Sequence, residues 1–298
     1  SAASDVYKRQ SPIDPTELVF GKDGTYLGGV SLEGFQGLVM LEEVTNLGAL
    51  LLGNLLTTDG TSLGGFATTA EAINYNHNSP LQWWPAAITV GETSTGAETT
   101  KHFPKPTSFE VTSAASRLHD LSGVLGGFAN LYAVSDAKNK ELGGFWSWLA
   151  TFDGDPFPAD NQSPDGEETP HDQALAVLKV ALVNLDRLHW DAANSVLVDV
   201  STVSGGTVQL GTRVDTFTST YMINSLRTAL RGMTSKITLY GNDTPDTLGF
   251  TLPLDTTSLD GAEFINYEDH IIELIRAQAD FISEKILDAD GVAANGYD

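Results

Sequence analysis

The spacing of apolar residues in "FTSTYMINSLRTALRGMTSKITLY", residues Phe217 to Tyr240, constrains the fold most. Ile223, Leu226, Leu230, Met233, Ile237 and Tyr240 recur at three- and four-residue intervals. That period puts them on one side of an α-helix and leaves the other side polar. The same spacing returns over Phe264–Leu287 and over His171–His189, where Leu175, Leu178, Leu182 and Leu185 form the stripe. It returns again over Phe109–Val134, in the long apolar run Leu32–Leu56 and in the short aromatic Leu142–Phe152. Each stripe must be buried against another, so the chain is expected to be mainly α. Strand signals are few. "SVLVDVSTV" and "TVQLGT" predict one small β hairpin near residues 195–212, turning over "SGG".

Length and charge bound the function. A chain of 298 residues is long enough for one large domain with a sizeable core. Lys and Arg number 16 against 39 Asp and Glu, a formal charge of −23. Such a surface repels phosphate backbones and anionic membranes, so nucleic acid is not an expected partner. It suits a cation or a neutral saccharide. There is no cysteine, which excludes disulfides, thiolate catalysis and zinc–thiolate centres within these residues. No apolar run reaches the length of a transmembrane helix. Acidity, scarce Lys and many Gly, Ser and Thr favour an extracytoplasmic location, periplasmic or cell-surface.

The ends carry their own expectations. "SAASDVYKRQ", residues 1–10, resembles translated sequencing-adapter sequence of the kind found on assembled environmental reads, and is set aside from fold reasoning. Residues 11–30 read as an extended segment. Residues 31–298 read as a single helical domain, cut short after "ILDADGVAANGYD".

Helices tend to end in an Asp-containing turn, followed by Gly and an aromatic residue. The instances are "TTDGTSLGGF" (Thr57–Phe66), "VSDAKNKELGGF" (Val134–Phe145), "YGNDTPDTLGF" (Tyr240–Phe250) and "LDADGVAANGY" (Leu287–Tyr297). Asp bonds its own turn, Gly supplies positive φ, and the aromatic re-enters the core. Serial helical hairpins joined by such turns resemble the α/α-toroid proteins, among them the six-hairpin glycosidases and the N-acylglucosamine-epimerase type. The resemblance implies an α/α toroid, or an arc of one, whose loops build a carbohydrate pocket at one rim. It is one of pattern, so no catalytic residue is carried over. An irregular helical bundle is the alternative architecture.

Three sets of side chains carry candidate chemistry. "TFDGDPFPADNQSPDGEETPHD", Thr151–Asp172, holds seven carboxylates, four prolines and no Lys or Arg. Asp153, Asp155, Asp160 and Asp165 are hard oxygen ligands suited to calcium, although Phe157 and Pro158 break the EF-hand pattern. Asp155, Asp165 or Glu167 would serve as the acid and base of glycoside hydrolysis. The plainer reading is a stiff surface loop into the next helix, with Thr169 as cap and Pro170 in first position. In "INYNHNSPLQWWP", Ile73–Pro85, the rings of Trp83 and Trp84 beside His77 and Asn78 suit sugar stacking with hydroxyl readout. A tryptophan on such a loop equally well plugs a core edge. Among the six histidines, Asp186 and His189 stand three apart and share a helical face. No zinc-hydrolase spacing occurs, no G-x-S-x-G motif is present, and no Ser has an identifiable base partner in sequence. "GVLGGF", Gly123–Phe128, reads as close helix packing.

Two function classes follow. One is a carbohydrate-binding or carbohydrate-active protein using acidic loops. The other is a non-catalytic, surface-exposed or lipid-anchored structural or binding protein whose acidic loops are held by calcium.

Overall fold

The computed structural model describes residues 18–20, 26–29, 44–93, 105–134, 170–233 and 267–286. The acidic stretch up to residue 169, the segment Leu142–Phe152 and the later Asp-turns lie outside these residues, apart from Val134 at the edge of one of them.

Helix α1 covers residues 44–53, and α2 is the single turn and a half Thr69–Ile73. Helix α3 is Leu118–Val134, α4 is Pro170–Asn184, α5 is Thr216–Met233 and α6 is Tyr267–Phe281. Pro170 opens α4, where a missing N–H costs nothing. Two of these helices widen at their ends into π turns, Leu185–His189 after α4 and Ile282–Ile286 after α6. Among the described residues, no helix is long and apolar enough to cross a membrane.

Helix α4 is the centre of the core. Its leucine stripe predicts one buried face, but Ala174, Ala176, Val177, Val180, Ala181 and Val183 are enclosed as well. The small apolar residues between the leucines let neighbours close on every side, as in any helix that is hydrophobic all round. Around it pack Leu118, Leu121, Leu125 and Phe128 of α3, Met222 and Leu226 of α5, and Ile271 and Leu274 of α6. Lys179 is also fully buried in α4. Burial pulls its ammonium down to a pKa of about 7.

Helices α3 and α4 are antiparallel. Tyr132, near the end of α3, stacks on His171 at the start of α4 with ring centroids 4.2 Å apart. Helices α3 and α5 instead run parallel, since Gly123 faces the Tyr221 hydroxyl and Gly126 faces Ser225. A Cβ on Gly126 would lie 2.9 Å from Ser225 Oγ, so the glycine permits the close approach. This pair makes the most extensive helix–helix contact described.

The strands are more extensive than the sequence suggests. Strands β1 (Leu18–Phe20) and β2 (Tyr26–Gly29) form a short hairpin. Strands β3 (Ala87–Thr93) and β4 (Lys105–Ser113) form a long antiparallel pair, with Ile88 opposite Val111 and Val90 opposite Phe109. Strand β5 (Ser116–Arg117) joins β8 (Val200–Ser204) and β9 (Thr207–Leu210) in the order β5-β8-β9. Strands β6 (Trp190–Asp191) and β7 (Val196–Leu197) make a separate small pair. The hairpin expected near 195–212 is β8–β9. It turns over Gly205 and Gly206, both at positive φ, as a tight two-residue turn requires.

The expectation of a mainly α toroid, or of an irregular helical bundle, is overturned: the architecture is mixed α and β. Two physical features account for this. Phe109–Ser113 belongs to β4, not to the helix expected from Phe109, which begins only at Leu118. In addition, strands stand between the helices: β3, β4 and β5 precede α3, and β6 to β9 lie between α4 and α5.

Candidate functional site

Two polar clusters flank the end of α4, and the π turn Leu185–His189 serves both. An inserted residue widens the helix here, so side chains three apart no longer share a face. Asp186 and His189, expected side by side, point to different neighbours.

On one side lies the loop from Asn74 to Trp84. Thr68 caps α2 by accepting from the Glu71 N–H at 3.2 Å, and this fixes the entry to the loop. The Tyr75 hydroxyl donates to Asn184 Oδ1 at 2.9 Å and accepts from Arg187 Nη1 at 3.1 Å. Arg187 Nη1 also donates to the Ser79 carbonyl at 2.9 Å, and Asn184 Nδ2 donates to the Gln82 carbonyl at 2.9 Å. His77 Nε2 donates to Asp186 Oδ2 at 2.8 Å. His270 Nε2, from α6, reaches the same carboxylate at 2.8 Å from Oδ2 and 2.9 Å from Oδ1. A carboxylate only accepts, so each ring carries its proton on Nε2. Burial alone would push the Asp186 carboxyl up. The charge and hydrogen bonds of His270 and His77 outweigh that, and hold it below the usual carboxylate range.

The residues expected to read a sugar fall within this cluster. Trp83 is fully enclosed and donates its Nε1–H to the Ala114 carbonyl at 2.8 Å. Trp84 is half-buried and donates to the Leu51 carbonyl at 3.0 Å. His77 is spent on Asp186, and Asn78 is exposed with its N–H on Asn76 Oδ1 at 2.9 Å. Trp83 therefore has no ring face open to a ligand.

The acidic candidates Asp153, Asp155, Asp160, Asp165 and Glu167 lie outside the described residues. Among the described residues, no group of three His, Asp or Glu is arranged to hold a metal ion. Asp59, in the one complete Asp-turn described, bonds its own loop: Oδ1 accepts the N–H groups of Thr61 and Ser62, both at 2.7 Å. Those two bonds hold its carboxyl well below the usual range.

On the other side of the π turn, β5, β8 and the first turns of α3 and α5 meet. Asp199, just before β8, organises the junction. Its carbonyl accepts from Leu118 N at 2.7 Å, and its Oδ1 accepts from Asp215 N at 3.0 Å. Asp215 in turn caps α5, with Oδ2 accepting from the Thr218 N–H and hydroxyl, both at 2.8 Å. Arg213, its side chain 69% exposed, lies 3.4 Å from Asp199 and 3.6 Å from Asp215. Burial raises the Asp199 pKa, while the Thr218 bonds lower that of Asp215.

Three rings sit on the surface of this junction. Phe217, 69% exposed, lies 5.8 Å from His119, and His119 lies 5.2 Å from Tyr221. The Phe217 and Tyr221 planes are within 20° of each other. Just before α3, β5 places Ser116 against His189. His189 Nδ1 is 2.8 Å from the Val198 carbonyl, so that nitrogen carries the proton. His189 Nε2 is then free to accept the Ser116 hydroxyl at 2.9 Å. Enclosure pulls the His189 pKa down to about 4, so the ring is neutral.

Nothing in the local sequence pairs Ser116 with His189. Ser116 and His189 are 73 residues apart and meet only through the sheet and the π turn. Phe217 and Tyr221 stand in the sequence as an i, i+4 aromatic pair off the expected apolar stripe of α5; Phe217 is exposed, while Tyr221 is partly buried and faces Gly123 of α3. Compared with protein-family models, with curated proteins and with solved structures, the chain matches none.

Proposed function

We propose that this protein binds a neutral saccharide on the ring cluster His119, Phe217 and Tyr221. The observation that carries the reading is the exposure of Phe217, a large aromatic left 69% open beside two further rings. Leaving such a ring in water has no benefit for folding, whereas an open aromatic face suits the C–H surface of a sugar. Arg213, four residues before Phe217 and held by Asp199 and Asp215, supplies exposed N–H donors for hydroxyl groups. The charge of −23 selects against anionic glycans.

A glycan array spanning neutral and acidic saccharides tests this. Binding confined to neutral members is expected, with affinity falling about tenfold in Phe217→Ala, the equivalent of about 1.4 kcal/mol. Silence across the neutral members, or unchanged affinity in the variant, would refute it.

A further inference from the structure

We infer that Ser116 and His189 form an acyl-transfer pair acting on a small ester, an activity separate from saccharide binding. The arrangement has the parts that nucleophilic catalysis by serine needs. The Ser116 hydroxyl donates to His189 Nε2 at 2.9 Å, and His189 is locked in the accepting tautomer by Nδ1–H on the Val198 carbonyl at 2.8 Å. Here a backbone carbonyl takes the orienting place that a carboxylate holds in a triad. Ser116 also stands where strand β5 gives way to α3. The Leu118 N–H is taken by the Asp199 carbonyl, but the next N–H of that helix, on His119 three residues beyond the hydroxyl, lacks an intrahelical acceptor.

Ser201 gives an independent pointer to a bound group. It is directly opposite Ser116 in the β5–β8 ladder, so both side chains project from the same face. Ser201 Oγ is buried, at 1% residue exposure, and has no hydrogen-bond partner among the described residues. A buried hydroxyl without a partner is costly, and an oxygen brought in by a ligand would satisfy it. Ser116 is itself 5% exposed, which excludes a bulky acyl group and confines the inference to a small one such as acetyl.

The step balances. Ser116 Oγ attacks the ester carbonyl carbon while its proton passes to His189 Nε2. The bond from that carbon to the leaving oxygen breaks, and His189 returns the proton to the departing alcohol. Water then attacks the acyl-serine, with Nε2 again taking and returning one proton, and releases the carboxylic acid.

The test incubates the full chain with a fluorophosphonate probe and locates the adduct by peptide mass spectrometry. An adduct on Ser116 is expected, abolished in Ser116→Ala and formed at least about 100-fold more slowly in His189→Gln. Should His189→Gln fail to fold, the pH profile of wild-type labelling decides instead. A base with a pKa of about 4 keeps the rate flat from about pH 8 down to about pH 5. A rate that stays unchanged as the pH falls on through about 4 would contradict the assignment, because protonation of His189 would then not matter. Absence of an adduct on Ser116 in the folded protein would also overturn it, as would labelling that is indifferent to His189.

Discussion

The two sides of the π turn use polar groups differently. On the Tyr75–Asp186 side, donors meet acceptors inside the molecule: Arg187 binds loop carbonyls, Asp186 takes two imidazoles, and Trp83 gives its N–H to a backbone oxygen. On the Ser116–Phe217 side, the rings of Phe217 and His119 are exposed. Polar groups that hold one another inside the molecule fix the fold. Aromatic rings left in solvent have something to offer a ligand. Substitutions on the first side should therefore read out as stability, and those on the second as binding or reactivity.

The largest expected effect is at Asp186. Replacement by Ala removes the acceptor for both His77 and His270 in a buried setting, and should cost about 3–5 kcal/mol by urea denaturation. A loss under about 1 kcal/mol would break the contrast, because the carboxylate would then be idle.

Next comes the pH response of His189. Its folded pKa of about 4 lies below the ordinary value of about 6.5, so over this window the unfolded chain binds the proton and the folded chain does not. The contribution of this group to stability is whole above about pH 6.5. It declines by roughly 3 kcal/mol as the pH falls toward about 4. Denaturation midpoints across that range should show the slope in the wild type and a flatter one in His189→Gln. Asp186 acts in the same direction at lower pH: its depressed pKa gives stability that is present above about 3.9 and lost as pH falls through the folded value.

A smaller effect is expected at the seam that positions the junction. Gly126→Ala gains about 1 kcal/mol of helix propensity but forces a Cβ to 2.9 Å from the buried Ser225 hydroxyl. Overpacking costs about 1–3 kcal/mol, so a net loss of about 1 kcal/mol is expected from thermal melts. A stabilised variant would mean that α3 and α5 can separate without penalty.

Helix periodicity was legible where the residues bore it. The stripes of α4, α5 and α6 stand in the sequence, and Pro170 marks the start of α4 as its fixed φ dictates. Phe109–Ser113 departs from the expected helix because Phe109 and Val111 alternate with polar residues at the period of a strand. That alternation, with Ile88 and Val90 opposite, was available to find β3–β4. The π turn was not, since no residue in "LDRLH" demands the extra residue. The Ser116–His189 pair depends on that turn and on the β5–β8 register, and both are products of tertiary packing. In the loop Ile73–Pro85 the tryptophans suit a sugar by residue type, but which of them is exposed depends on tertiary packing, and burial claims Trp83.

The smallest expected effect on stability is also the most telling. Phe217→Ala should leave the melting temperature within the shift equivalent to about 0.5 kcal/mol, because the ring is largely exposed. Calorimetric titration of wild type and Phe217→Ala with the tightest neutral saccharide from the array, each melted in parallel, tests the junction as the ligand-contacting face. An intact melt with affinity weakened about tenfold is the predicted result. Equal affinity in the two proteins, or a variant that loses binding only because it has unfolded, would contradict it.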